Sequence, residues 1–135
     1  MGLFDFLKPK TQKEQFVSVA AFEENKNQRT RGAIAIIEQL RTFNISSDKL
    51  LKLEYFFYTN QDEKASHLAE EMEKLNYSVK HGPAANNKSL FVVTGWTTKI
   101  KIEELIISNW VTEMCELGYK FDCLFDGWGT DPNQQ

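Results

Sequence analysis

The 135-residue chain has little of what marks the specialised protein classes. It has two cysteines, Cys115 and Cys123. That is too few for the disulfide framework of a small secreted domain. Three prolines and seven glycines exclude collagen-like and low-complexity chains. There is no excess of positive charge: Lys plus Arg is 16, Asp plus Glu is 19, and the formal net charge is −3. That sign disfavours a protein that binds nucleic acid through charge alone. No apolar run approaches the ~20 residues needed to span a bilayer. The opening Met1–Lys10 carries Leu3, Phe4, Phe6 and Leu7 but no small-residue cleavage site. Phe6 also stands where a myristoylation motif wants Ser or Thr. Residues 1–13 therefore read as a flexible tail and residues 14–135 as one domain of a cytoplasmic protein.

Aromatic residues are plentiful: ten Phe, four Tyr and three Trp. With 41% hydrophobic residues, the chain has enough apolar surface to offset the entropy of ordering it. Charge is uneven along it. Residues 1–60 hold nine Lys or Arg against seven acids, and residues 61–135 hold seven Lys against twelve acids. A solvated acidic surface accounts for this, and a basic partner is the alternative.

Apolar spacing supplies the elements. Residues 14–25 fit a helix or a strand, with helix favoured, and a polar stretch Glu23–Arg31 follows. Ala33, Ile34, Ile37 and Leu40 predict a helix over 30–43, capped near Asn44. Leu50–Thr59 alternates as a strand, with Leu51, Leu53, Tyr55 and Phe57 on one face and Lys52, Glu54, Phe56 and Tyr58 on the other. Asn60 with Glu63 resembles a capping box. Ala65, Leu68, Ala69, Met72 and Leu75 then mark a helix face, and Asn76 its end. A short strand starts at Tyr77, a turn spans Gly82–Lys88, and a further strand runs from Leu90 to about Trp96. Ile102, Leu105, Ile106, Trp110, Met114 and Leu117 form the longest helix face, which Gly118 ends. Tyr119–Phe125 is the last strand, closed by turns at Asp126–Gly129 and Asp131–Asn133.

Strand–helix–strand occurs twice in this order. Two such units predict an α+β fold: a ferredoxin-like β-α-β-β-α-β plait with an antiparallel sheet and an additional N-terminal helix. Its helices cover one sheet face. The other face would carry Phe56 and Tyr58, with Trp96, Trp128, Asp122 and Asp126 near it. An aromatic group of that size marks an interaction site, unless residues 1–25 fold over it or the register is off by one.

No catalytic set is evident. His67 and His81 share no element with either cysteine, and the spacings suit no zinc site. No phosphate-binding glycine loop is present, because no helix follows Gly127 and Gly129. Cys115 reads as a small packed residue. Asp122 and Asp126, four apart, would share one strand face; they read as a surface residue and a turn residue, with a shared substrate or cation as the alternative. No cofactor is expected. An RNA-recognition module has the same element order, but Ser89–Trp96 lacks its basic-glycine-aromatic run.

Phe121-Asp122, followed after three residues by Asp126-Gly127-Trp128-Gly129-Thr130, resembles the C-terminal signature of the regulator of ribonuclease activity B family. The similar order of elements runs from about residue 25 to the end. The resemblance implies the plait fold and a non-catalytic protein that binds and inhibits ribonuclease E. The residues after Thr130 form no acidic run of the kind the best-known members carry, which leaves the partner's identity open. The expected function is regulation through a protein partner, with RNA binding on the same aromatic face as the alternative. Candidate partner-binding residues are Phe56, Tyr58, Trp96, Asp122, Asp126, Gly127, Trp128 and Gly129.

Overall fold

The computed structural model describes residues 15–134; the expected tail at 1–13 lies outside them. Its elements are α1 (Val19–Thr42), β1 (Leu50–Thr59), α2 (Asp62–Lys74), β2 (Lys80–Pro83), β3 (Phe91–Lys101), α3 (Glu104–Lys120) and β4 (Leu124–Thr130). The four strands form one sheet in the order β2-β3-β1-β4, and every neighbouring pair is antiparallel. This is the ferredoxin-like plait with an added N-terminal helix.

The core follows from the alternation of β1. Leu51, Leu53, Tyr55 and Phe57 are at most 1% exposed and face the helices. Ala65, Leu68, Ala69 and Met72 of α2 and Ile107, Trp110, Val111, Met114 and Cys115 of α3 close over them in one cluster. Each fully buried Leu, Ile, Val, Met or Phe side chain among them contributes about 1.5–3 kcal/mol by leaving water. Gly118 serves this packing and not a helix end. A Cβ there would lie 2.7 Å from a Phe57 ring carbon and 2.8 Å from the Cys123 carbonyl oxygen.

The three described helices stop in the same way. Asn44, Asn76 and Asp122 take positive φ of 65°, 66° and 58°. The next N–H then bonds back to a carbonyl five residues earlier: Ile45 to Leu40, Tyr77 to Met72, and Cys123 to Gly118. Asn and Asp tolerate this left-handed conformation better than other non-glycine residues, so each ends its helix. The expected stop at Gly118 is therefore corrected to Phe121, with Asp122 in the turn beyond it.

Three further expectations are corrected. First, α1 is a single helix, and the polar stretch Glu23–Arg31 is part of it. Ser18 caps it, its Oγ accepting the Ala21 N–H at 3.1 Å. The N-terminal half is held by contacts that leave little apolar periodicity. Phe22 stacks on Tyr119 with ring centroids 4.3 Å apart, and Asn25 Nδ2 donates to the Phe125 carbonyl at 2.9 Å. Second, α2 is capped at Gln61, and Asn60 accepts from Lys64 Nζ at 2.9 Å instead of closing a capping box. Third, Leu105 and Leu75 are 64% and 46% exposed, outside the core positions expected for them.

Candidate functional site

Strand pairing decides what the outer sheet face carries. Glu54 lies opposite Trp96, Phe56 opposite Thr94, and Tyr58 opposite Val92. Directly opposed residues share a face, so Phe56, Tyr58 and Trp96 all point away from the helices. They are partly exposed, as expected, and no helix among the described residues covers them. Lys52, opposite Lys99, and Lys80, opposite Thr94, rim the same face. All three lysines are exposed, and among the described residues none has a carboxylate within ion-pairing distance.

Trp128 belongs to the other side, which corrects its expected place. The β1–β4 ladder shifts register between Phe56 and Phe57: Phe57 pairs with Phe125, while Phe56 pairs with Gly127. Asp126 is thus the extra residue of a β-bulge. The bulge lets Phe125 and Trp128, three apart, both point inward. Trp110 stands edge-on to both rings, with centroids 6.0 Å and 5.9 Å away. Trp128 pins the end of the sheet to α3.

Asp122 is also corrected. It lies in the α3–β4 turn and shares no strand face with Asp126. Its carboxylate accepts the Phe16 N–H at 2.7 Å and the Val17 N–H at 2.8 Å. Lys64 Nζ meets the same group at 2.6 Å. The Thr59 hydroxyl donates to its carbonyl at 2.9 Å. One residue thus ties the approach to α1, the start of α2 and the end of β1 together. Asp126 faces Arg29 Nη2 at 3.4 Å, and Arg29 Nε donates to Asn25 Oδ1 at 3.3 Å. With one carboxylate clamped and the other turned to α1, they form no acid–base pair.

Four of the expected site residues meet at the β4 edge. Phe56, Asp126, Gly127 and Trp128 line a cleft of about 250 Å³ with Arg29, Gly32 and Ile36 of α1. Trp128 and Gly129 continue into a neighbouring cleft of about 340 Å³ against Ile36, Leu40 and Phe43. The two glycines differ. Gly127 has φ +122° and sits under Arg29, so the bulge itself requires it. Gly129 has nothing within 4 Å of where a Cβ would stand. Its bare backbone opposite Glu54 leaves room for another molecule to approach. Phe56 lines the cleft and also stands on the outer face, opposite Thr94. Sequence reasoning missed Arg29, Gly32 and Ile36, whose part follows only from where α1 lies along β4.

The two thiols are not part of this surface. Burial pushes Cys115 up to about 11 and Cys123 up to about 12. Both stay protonated near neutral pH and are poor nucleophiles. Among the described residues there is no group of three metal-ligating side chains, and no helix is long and apolar enough to cross a membrane.

The family model for the regulator of ribonuclease activity B matches residues 33–130, from the middle of α1 to the last residue of β4. The chain belongs to that family. The match takes in the whole sheet, both core helices and the signature whose Asp122 and Trp128 hold the fold. It places the chain among regulators of ribonuclease activity. No curated protein matches the chain.

Proposed function

We propose that this family member is a non-catalytic, cytoplasmic regulator that binds a ribonuclease, of the ribonuclease E type, and restrains it. The contact surface is the outer sheet face with the adjoining β4-edge cleft. Phe56, Tyr58 and Trp96 are its aromatic anchors, and Gly129 leaves the backbone open to close approach. Asp126 and Gly127 shape the cleft, while Asp122 and Trp128 act behind it by holding the turn and the edge strand. The observation that carries this reading is an aromatic sheet face that no described helix covers, in a member of a ribonuclease-regulator family. A few anchors, Trp and Tyr prominent among them, carry most of the energy of a protein interface once the partner desolvates them.

The test is a titration of the protein into purified ribonuclease E cleaving a defined RNA. The expected result is saturable loss of cleavage and a complex on gel filtration. Unchanged cleavage with no complex rejects the ribonuclease as partner. RNA binding on the same face is the second reading, and Lys52, Lys80 and Lys99 around the aromatics favour it. A gel shift of RNA by the protein alone, weakening with salt, separates the two.

A further inference from the structure

The helix layer carries a second surface of a different character. Between the end of α2 and the middle of α3 lies a cleft of about 420 Å³. Leu75 and Tyr77 form one wall, and Trp110, Met114 and Leu117 form the other. Trp110 Nε1 donates to the Tyr77 hydroxyl at 3.2 Å, so the indole donor at its base is already used. What remains open is apolar, and Leu75 stands 46% exposed at the lip.

The rim is acidic. Glu113 and Glu116 line it, and neither makes an ion pair among the described residues. Lys74 is taken by Glu71 at 2.8 Å. Lys120, the one basic residue in the lining, lies over the Phe121 ring at 5.8 Å. Across α2 and α3 together, eight carboxylates stand against three lysines. Lys64, one of the three, is bound to Asp122 at the opposite end of α2.

We infer that this groove docks a basic segment of a partner protein. One large apolar side chain seats between Leu75 and Trp110, and Lys or Arg residues flanking it face Glu113 and Glu116. An acidic or phosphate-bearing occupant would meet two uncompensated carboxylates at the rim. A purely apolar occupant would leave them unanswered. Only a cationic segment with an apolar anchor satisfies both features. The inference does not depend on the ribonuclease reading, because groove and sheet face lie on opposite layers.

The experiment is fluorescence polarisation of a short labelled peptide with a central Leu flanked by Lys and Arg, titrated with the full chain. Saturable binding is expected. The double variant Glu113→Lys/Glu116→Lys should weaken it roughly tenfold or more. Leu75→Ser should weaken it several-fold, as should replacing the peptide's Leu with Gly. Glu24→Lys/Glu38→Lys makes the same charge change on exposed positions of α1, and should leave affinity within about twofold. Circular dichroism melts confirm that each variant is folded. The inference is overturned by any of three results: no saturable binding, equal loss in both charge-reversal pairs, or equal affinity for the peptide lacking Leu. The last two would mean attraction to net charge without a groove.

Discussion

The two faces of β1 each carry one Phe and one Tyr, and these meet opposite fates. On one face, Tyr55 and Phe57 are fully buried, with their ring centroids 6.0 Å apart, and Phe57 lies 5.1 Å from Phe125. On the other, Phe56 and Tyr58 stay partly exposed on a sheet that no described helix covers. Composition alone cannot tell these aromatics apart. Position in a two-residue alternation can, because neighbouring side chains on a strand must point to opposite sides. The covered face stabilises the domain. The outer face leaves its aromatics partly exposed, and the proposed function gives them to a partner.

The sharpest contrast sets Phe57→Ala against Phe56→Ala. Phe57→Ala should cost about 3–5 kcal/mol, because it empties a packed site under Gly118. Phe56→Ala should cost well under half as much in chemical denaturation. Equal losses would mean that Phe56 is also core, and the two-face comparison would fail.

Asp122 tests the covered side through its polar contacts. Asp122→Ala removes the acceptor for two backbone N–H groups and for Lys64, and puts alanine at positive φ. A loss of about 2–4 kcal/mol is expected. Asp122→Asn keeps the tolerance for positive φ and one acceptor oxygen, so it should lose clearly less. If the two variants melt alike, the charge pair carries the effect and the backbone conformation does not.

The covered side also predicts a pH response. Cys115 and Cys123 hold their protons more tightly when folded, because burial raises both thiols. The unfolded chain sheds these protons first, near pH 9. The stability they contribute is therefore fully present below that pH and is lost from about 9 towards about 12. Denaturant midpoints should fall over this range in the wild type. They should fall less in Cys123→Ala, measured relative to that variant's own stability at pH 7.

The smallest effect on stability belongs to the open side. Gly129→Ala adds a methyl where nothing stands within 4 Å, so its stability should change by less than about 0.5 kcal/mol. Its affinity for a captured partner should nevertheless drop. Gly127→Ala, at φ +122°, should instead destabilise the fold.

Most of the architecture was legible in the sequence because apolar periodicity decides it. The alternation of β1, the α2 face from Ala65 to Met72, and the caps at Asn44 and Asn76 all appear as expected. Three features were not legible, each for a physical reason. The first half of α1 is held by Phe22 stacking and by Asn25 and Arg29, contacts that leave little hydrophobic period. The bulge at Asp126 adds one residue to a strand, and one residue reverses every face assignment beyond it; that turned Trp128 inward. Asp122 looked like a strand residue because helix α3 runs past Gly118, a glycine that serves packing and not termination. Of the candidate site, the sequence showed the outward aromatics but not the cleft, since the cleft needs α1 laid along β4.

In the proposed division of labour, the outer face binds the ribonuclease while the covered face supports the fold. The most direct measurement compares wild type with Phe56→Ala/Tyr58→Ala/Trp96→Ala in ribonuclease E cleavage, with thermal melts of both proteins. The variant should melt cooperatively as a folded domain and inhibit at least tenfold less well, about 1.4 kcal/mol of lost binding. A folded variant that inhibits as well as wild type would overturn the assignment of the outer face to the partner.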